Sequence, residues 1–148
     1  MKIRPGARKF LRRLKEHYEI FVFTAACPAY AQLVVQELDP ENKIISYVLD
    51  RTYCLETRNG LYIKDLRIIK NRDLKNMIIV DNLVHSFGFQ IHNGVPILEW
   101  RGDKEDDELK HLTNYLLEAQ KYDDIREFNK ERLRLSELVN HKLGDSTP

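Results

Sequence analysis

The sequence predicts an α/β fold, a mostly parallel sheet flanked by helices, with a small antiparallel β insert. Short apolar, β-branched stretches of the buried-strand type alternate with segments in which apolar residues recur at helical spacing. One stretch of rough period-2 alternation, which contains an Asn-Gly pair, interrupts that order. With 148 residues, the chain has the length of a single domain.

The first predicted element is a helix. Arg4-Pro5-Gly6 is a turn that leads into it, and Phe10, Leu11 and Leu14 recur at helical spacing. The alternative is a mitochondrial transit peptide, because residues 1–18 are rich in Arg and Lys. That stretch contains no Ser or Thr, which favours the helix.

A buried strand and a second helix come next. YEIFVFTAA (residues 18–26) is apolar, β-branched and aromatic, and it ends at Thr-Ala-Ala. The second helix begins at Pro28 and continues to about Leu38, with Leu33 and Val34 predicted to point inward. Asp39-Pro40 ends it.

Residues 44–66 have a different pattern. Apolar and polar residues alternate roughly, and Asn59-Gly60 is a hairpin signal. We interpret this stretch as a small antiparallel insert within the domain.

The second half predicts two further parallel strands. MIIVDN (residues 77–82) is a buried strand, and VPIL (residues 95–98) is a short one parallel to it. Between them, residues 86–94 contain Gly and Asn breakers and are predicted to be a loop.

The chain is predicted to finish with helices. An acidic stretch at residues 103–108 precedes a predicted helix that contains Leu109, Leu112, Leu116 and Leu117. Acidic side chains are favourable there, because the helix dipole places partial positive charge at the N-terminus of a helix. A charged helix follows at residues 124–139. We expect one domain over residues 1–139 and a disordered tail at 140–148.

The composition excludes several classes of protein. A net charge of +1 argues against a nucleic-acid binder, which would be clearly basic. The two cysteines have no metal-like spacing and suit a reducing compartment. No apolar run approaches the ~20 residues of a membrane span, so none is predicted.

Polar residues follow the predicted strands in a suggestive arrangement. Thr24 and Asp81-Asn82 both stand at carboxyl ends of strands, where α/β sheets bind ligands. A hydroxyl and the ammonium of Lys64 suit phosphate oxygens, and a carboxylate beside an amide suits Mg²⁺. Taken singly, each residue has a structural alternative: a helix cap for Thr24, a turn for Asp81-Asn82, and a solvated surface charge for Lys64.

Several segments in the same order resemble a known family. They are RPGARKFLRRLKEHYEIFVFTAACPAYA (4–31), NGLYIKDL (59–66), NRDLKNMIIVDN (71–82), GVPILEW (94–100) and DDELKHLTNYL (106–116). Together they resemble, nearly without gaps, the FCP/SCP-type domain of RNA polymerase II C-terminal-domain phosphatases, which belongs to the haloacid dehalogenase (HAD) superfamily. The resemblance implies a HAD-like, Rossmannoid fold.

The resemblance also implies roles for five residues. Thr24 matches the second superfamily motif, whose hydroxyl holds the phosphoryl group. Lys64 matches the third motif, a cation that stabilises the nucleophile and the negative charge of the phosphate. Asp81 and Asn82 match the fourth motif, which positions Mg²⁺. Arg58 matches, less closely, a position that contacts the substrate phosphate. In the family, an Asp carboxylate attacks phosphoserine, and water then hydrolyses the aspartyl-phosphate.

The first motif of the family, an apolar strand ending in Asp-x-Asp-x-Thr, is not found in this sequence. The resemblance implies that its strand lies between those ending at Thr24 and Asp81. We therefore expect a gap in the sheet, filled by a strand-donating partner, by self-association, or by a segment missing from an incomplete sequence. The alternative is direct pairing of residues 20–24 with residues 77–81.

The expected function is that of a Mg²⁺-dependent protein serine/threonine phosphatase domain, inactive or incomplete as this chain alone and so a possible pseudoenzyme. The alternative is a non-catalytic protein-binding module similar to the receptor subunit of the mitochondrial inner-membrane import translocase, and a third is a fragment without function. The expected partners are a phosphoprotein substrate or another protein. The nucleus or cytoplasm is the expected compartment, with the mitochondrion as the alternative.

Overall fold

The protein is described by a computed structural model that covers residues 1–133. Its helices are α1 (Ala7–Lys15), α2 (Pro28–Leu38), α3 (Glu108–Ala119) and α4 (Ile125–Leu133). Its strands are β1 (Ile20–Phe23), β2 (Ile45–Leu49), β3 (Leu55–Glu56), β4 (Tyr62–Ile63), β5 (Ile79–Asp81) and β6 (Gly94–Pro96). The α/β fold class is confirmed. Residues 134–139 of the predicted last helix and the tail at 140–148 lie outside the described residues.

Within the described residues, the strands form three two-stranded sheets. β1 and β2 are parallel, with Phe23 opposite Leu49, and β5 and β6 are parallel, with Ile79 opposite Gly94. β3 and β4 form the small antiparallel pair. No pairing joins β1 to β5 in residues 1–133, so the alternative of direct pairing was wrong.

The sequence predicted an antiparallel insert over residues 44–66, but the antiparallel pair of the structure is shorter and consists of β3 and β4. β2 pairs in parallel with β1 and so belongs to the main sheet. Period-2 alternation shows that one face of a strand is buried, but it does not choose the neighbouring strand. The hairpin signal itself was correct, since Gly60 has a φ of +78° and its N–H donates to the Thr57 carbonyl at 3.0 Å.

A hydrophobic core is packed between the helices and the strands. One cluster contains Leu14, Val95, Leu112 and Leu116, and it joins α1 and α3 to the β6 strand. On α2 the buried residues are Ala31 and Val35. The prediction that Leu33 points inward was wrong, because Leu33 lies off the face that residues 31 and 35 share one turn apart, and it is 58% exposed.

Residues 84–93 form a run of 3₁₀ turns with a kink, whereas residues 86–94 were predicted to be a loop. Phe87 in this run is fully buried against Gly94. The amide of Asn93 donates to the carbonyls of Leu74 and Met77 at 2.6 and 2.9 Å. Gly and Asn disfavour a long α-helix but are compatible with short 3₁₀ turns, so these residues did not distinguish an irregular loop from the turns that form.

In the part of the chain that the structure describes, every helix is too short or too polar to cross a lipid bilayer.

Candidate active site

A buried ion pair lies at the carboxyl end of β5. The Lys64 ammonium donates to Oδ2 of Asp81 at 2.5 Å, and the two side chains are 11% and 6% exposed. The other carboxylate oxygen, Oδ1, accepts the N–H of Leu83 at 2.9 Å. The tertiary structure therefore brings together two of the residues that the sequence singled out, although 17 positions separate them.

The run of 3₁₀ turns at residues 84–93 holds Lys64 in place. The backbone N–H of Lys64 donates to the carbonyl of Ser86 at 2.7 Å. Gln90 accepts the N–H of Leu66 at 2.9 Å and donates to Asp65 at 2.8 Å. Both Ser86 and Gln90 are buried. No pattern in the sequence indicates these supporting residues, because neither Ser nor Gln carries a local signal for such a contact.

Thr24 directly follows β1 and stabilises the turn after it. Its backbone N–H donates to Leu49, and its Oγ1 accepts the N–H of Ala26 at 3.1 Å. The N-cap of α2 is Cys27, whose side chain makes no capping bond. Thr24 therefore caps a turn and not the helix. A threonine hydroxyl that accepts one hydrogen bond still has its own hydrogen to donate.

The Cys54 thiol contacts the residue that follows β1. It donates weakly to the Thr24 carbonyl at 3.7 Å. Burial raises the pKa of this thiol, and the charges of Lys64 and Asp81 act on that pKa in opposite directions. No pattern in the sequence indicates this contact of Cys54.

Asn82 and Arg58 are both exposed. Arg58 lies in the turn between β3 and β4. Within the described residues, the hydrogen bonds of the Lys64–Asp81 pair do not include either side chain. Neither side chain hydrogen-bonds to the pair in the described residues, and the roles of both remain predictions.

The described residues do not by themselves fit a magnesium site. Mg²⁺ takes oxygen ligands in octahedral geometry, usually one or two carboxylates with waters and substrate phosphate. No group of three or more His, Cys, Asp or Glu in residues 1–133 could hold a metal ion. Both oxygens of Asp81 are already engaged, one by Lys64 and one by Leu83. Further carboxylates are needed before Asp81 and Asn82 could contribute to such a site.

Comparison with known proteins decides the family. Residues 1–126 match the family described as NLI interacting factor-like phosphatase. The chain belongs to this family. The resemblance drawn from the sequence segments is therefore confirmed.

Curated relatives of the chain differ in what they do. The chain is 37% identical over 139 residues to CTD small phosphatase-like protein 2 of Dictyostelium discoideum, covering 94% of this chain and 24% of the relative. It is 38% identical over 125 residues to the mitochondrial import inner membrane translocase subunit TIM50 of Candida glabrata, covering 83% of this chain and 25% of the relative. The chain thus spans about a quarter of the length of these relatives.

A solved structure shares the fold. The structure of Fcp1, an essential RNA polymerase II CTD phosphatase, matches 99% of this chain and 39% of that chain with a TM-score of 0.59 and 23% identity. At this identity the match shows the HAD-like fold that the resemblance implied.

Proposed function

We propose that this chain carries the phosphate-binding half of a protein serine/threonine phosphatase site. The observation that carries the proposal is the Lys64–Asp81 pair at the carboxyl end of β5. Burying an ion pair costs several kcal/mol per ion in desolvation, and an apolar pair of the same volume is often more stable. An ammonium kept in a buried position at the carboxyl end of a strand is therefore better explained by binding an anion than by stability.

Phosphate suits the donors that this end of the sheet offers. An ammonium has three N–H donors, and Asp81 takes one of them from Lys64. Lys64 can therefore donate a hydrogen bond to a phosphate oxygen and keep its hydrogen bond to Asp81. The hydroxyl of Thr24 can donate a further hydrogen bond to the same group. Both contacts would place positive charge and donors where a transferring phosphoryl group needs them.

The nucleophile is proposed to come from outside this sequence. Asp81 is held by Lys64 and Leu83, and the sequence contains no Asp-x-Asp pair after an apolar strand. The family's first motif would supply the attacking carboxylate, the general acid and base, and the carboxylates needed for Mg²⁺. The chain alone is therefore expected to be inactive. Arg58, on the insert, is proposed to contact the substrate.

Hydrolysis of p-nitrophenyl phosphate tests this proposal. The 148-residue chain would be assayed with Mg²⁺, alone and with a synthetic peptide that carries an apolar strand followed by Asp-x-Asp-x-Thr. We expect turnover only with the peptide, and its loss in the Asp81→Asn and Lys64→Met variants. Lys75→Met removes an exposed ammonium and serves as the matched control, expected to remain active with the peptide.

The controls separate catalysis from folding. Removing Lys64 alone leaves a buried carboxylate without its partner, which costs about 3–5 kcal/mol. The double variant Lys64→Met/Asp81→Asn removes both charges and is expected to fold, so its inactivity would report on the site. Turnover by the chain without peptide, lost in Asp81→Asn, would mean that a carboxylate of this chain is the nucleophile, and it would refute the proposal.

A non-catalytic protein-binding module is the second candidate. The observation that favours it is 38% identity to a subunit of a mitochondrial import translocase over 83% of this chain. This function would be supported by a folded chain that binds the Asp-x-Asp-x-Thr peptide but does not hydrolyse p-nitrophenyl phosphate. The first candidate implies the nucleus or cytoplasm, and the second implies the mitochondrion.

A further inference from the structure

The exposed surface of α1 is formed entirely by cationic side chains. The exposed residues of this helix, which we call its basic face, are Arg8, Lys9, Arg12, Arg13 and Lys15. Residues 1–15 contain seven of the 24 Lys and Arg of the chain and no Asp or Glu. The net charge of +1 is therefore distributed unevenly, with a concentration of positive charge on this one helix.

The rest of the described chain neutralises little of this charge. In residues 1–133, Arg8 is the one residue of the basic face that forms an ion pair, with Glu37 at 3.1 Å. Both of these side chains are about half exposed. Like charges one helical turn apart repel each other, and Arg8 with Arg12 and Lys9 with Arg13 are two such pairs.

Helix stability does not explain the whole basic face. The three cations in the last turn of α1 are favourable, because the C-terminus of a helix carries partial negative charge. Arg8 and Lys9 stand in the first turn, where the helix dipole disfavours cations, and this turn contains no acidic residue. An anionic partner on this surface would relieve the repulsion along the whole helix.

The basic face lies apart from the residues proposed to bind phosphate. Its last residue, Lys15, precedes the amino end of β1, whereas Thr24 follows the carboxyl end of that strand. Lys15 also lines a surface hollow with Ile44 and Ile45, where β2 begins. The basic face is therefore a second surface suited to anions, which the phosphate group of a substrate bound at Thr24 does not occupy.

Protein carboxylates suit this surface better than lipid or nucleic acid. Leu14 is buried and Phe10 packs against the same core cluster, so α1 cannot insert its apolar side into a membrane. The exposed residues of α1 include no aromatic side chain on which a base could stack. The guanidinium groups of Arg match the planar geometry of carboxylates and can bind them with two hydrogen bonds.

We infer that the basic face of α1 binds an acidic segment of another protein, in an extended conformation with carboxylates at alternate residues. Lys9 and Arg13, like Arg8 and Arg12, are about 6 Å apart along the helix axis. Alternate side chains of an extended chain lie on one face, about 6.7 Å apart. The carboxylates of such a segment have nearly the spacing of the cations. Acidic segments with few apolar residues are unstructured on their own, so they can adopt this conformation on binding.

This chain is a poor source of the acidic segment. Its acidic stretch at residues 103–108 contains a turn, in which Asp103 accepts the N–H of Glu105 at 2.9 Å, so the stretch is not extended. Residues 134–148 contain two acidic side chains, which do not stand at alternate positions. The same stretches are all that a second copy of the chain would offer.

Binding of a synthetic peptide to the 148-residue chain tests this inference. The probe is a peptide of about nine residues in which Glu and Ser alternate, and isothermal titration calorimetry measures its affinity at an ionic strength of about 0.05 M, where screening is weak. We expect Arg12→Gln/Arg13→Gln to weaken binding by about fivefold or more. The control Lys70→Gln/Lys75→Gln removes two exposed cations elsewhere and should change the affinity by less than about twofold.

Two further controls separate the arrangement of charge from its amount and from folding. A second peptide has the same composition, but its Glu residues stand in adjacent pairs and therefore lie on both faces of an extended chain. It is expected to bind at least about threefold more weakly. Circular dichroism of both variants should match that of the wild-type chain, because the substituted side chains are exposed. Since the readout is peptide binding and not turnover, failure of the proposed phosphatase function would leave it unchanged.

Four results would overturn the inference. Equal losses of affinity in the two variants would show that only net charge matters. Equal affinity for the two peptides would exclude the extended arrangement. Binding to phosphatidylserine vesicles or to single-stranded RNA, without binding to the peptide, would assign the basic face to a lipid surface or a nucleic acid. A dimer in sedimentation that Arg12→Gln/Arg13→Gln dissociates would make a second copy of the chain the occupant.

Discussion

The substitution Gly94→Ala tests the packing that supports the site. Gly94 begins β6, and a Cβ added there would lie 2.0 Å from Cδ2 and 2.2 Å from Cε2 of the Phe87 ring. That is about 1.5 Å shorter than an ordinary contact between carbon atoms. Phe87 is 0% exposed, so its ring has no free space to enter. Overpacking of a core costs about 1–3 kcal/mol, and this clash belongs at the upper end of that range.

Urea denaturation followed by circular dichroism measures the loss. With a slope of about 2 kcal/mol/M, a loss of about 3 kcal/mol lowers the midpoint by about 1.5 M. Gly88→Ala is the matched control, because a Cβ at Gly88 meets nothing within 4 Å, and its midpoint should hardly change. The double variant Gly94→Ala/Phe87→Leu should recover part of the stability that Gly94→Ala loses. Equal midpoints for Gly94→Ala and Gly88→Ala would refute the reasoning.

Two further predictions concern buried polar groups. Asp39 is buried, which alone raises its pKa, but three N–H groups of residues 43–45 outweigh burial and hold the pKa below its usual value. Asp39→Ala should therefore lower the free energy of unfolding by about 2 kcal/mol at pH 7. This difference should persist above the unfolded pKa of about 3.9 and disappear as the pH falls through the lowered pKa, and urea titrations across pH 2–7 check it. The Tyr18 hydroxyl donates to the Leu116 carbonyl at 2.6 Å, and burial raises the pKa of Tyr18 to about 12. Tyr18→Phe should cost about 1 kcal/mol in the same urea assay, and an unchanged midpoint would show that this bond contributes nothing.

The sequence predicted the elements whose signals are local. Pro28 at the first turn of α2 and the leucines of α3 gave correct helices, because helical spacing and terminal residues act within a few positions of each other. The apolar runs before Thr24 and Asp81 gave correct strands for the same reason. Family membership also came from the sequence, since it depends on the order of short segments along the chain.

The contacts between distant residues could not be predicted in this way. Alternation in residues 45–49 placed a strand but assigned it to the insert, because the choice between antiparallel and parallel neighbours depends on which edge is available. Likewise, Leu33 is as apolar as Val35, and only the packing of α2 decides which of them is buried. Ser86 and Gln90 support Lys64 through hydrogen bonds that no local pattern encodes.

The sequence by itself determined the helices, the apolar strands, the hairpin turn and the polar residues that stand at the strand ends. These depend on spacing, side-chain shape and backbone preference over a few residues. The tertiary structure decided that Lys64 forms an ion pair with Asp81, that β2 pairs in parallel with β1, and that a cleft separates β1 from β5. Such contacts join residues far apart in the chain, and they form because the packed arrangement as a whole lowers the free energy.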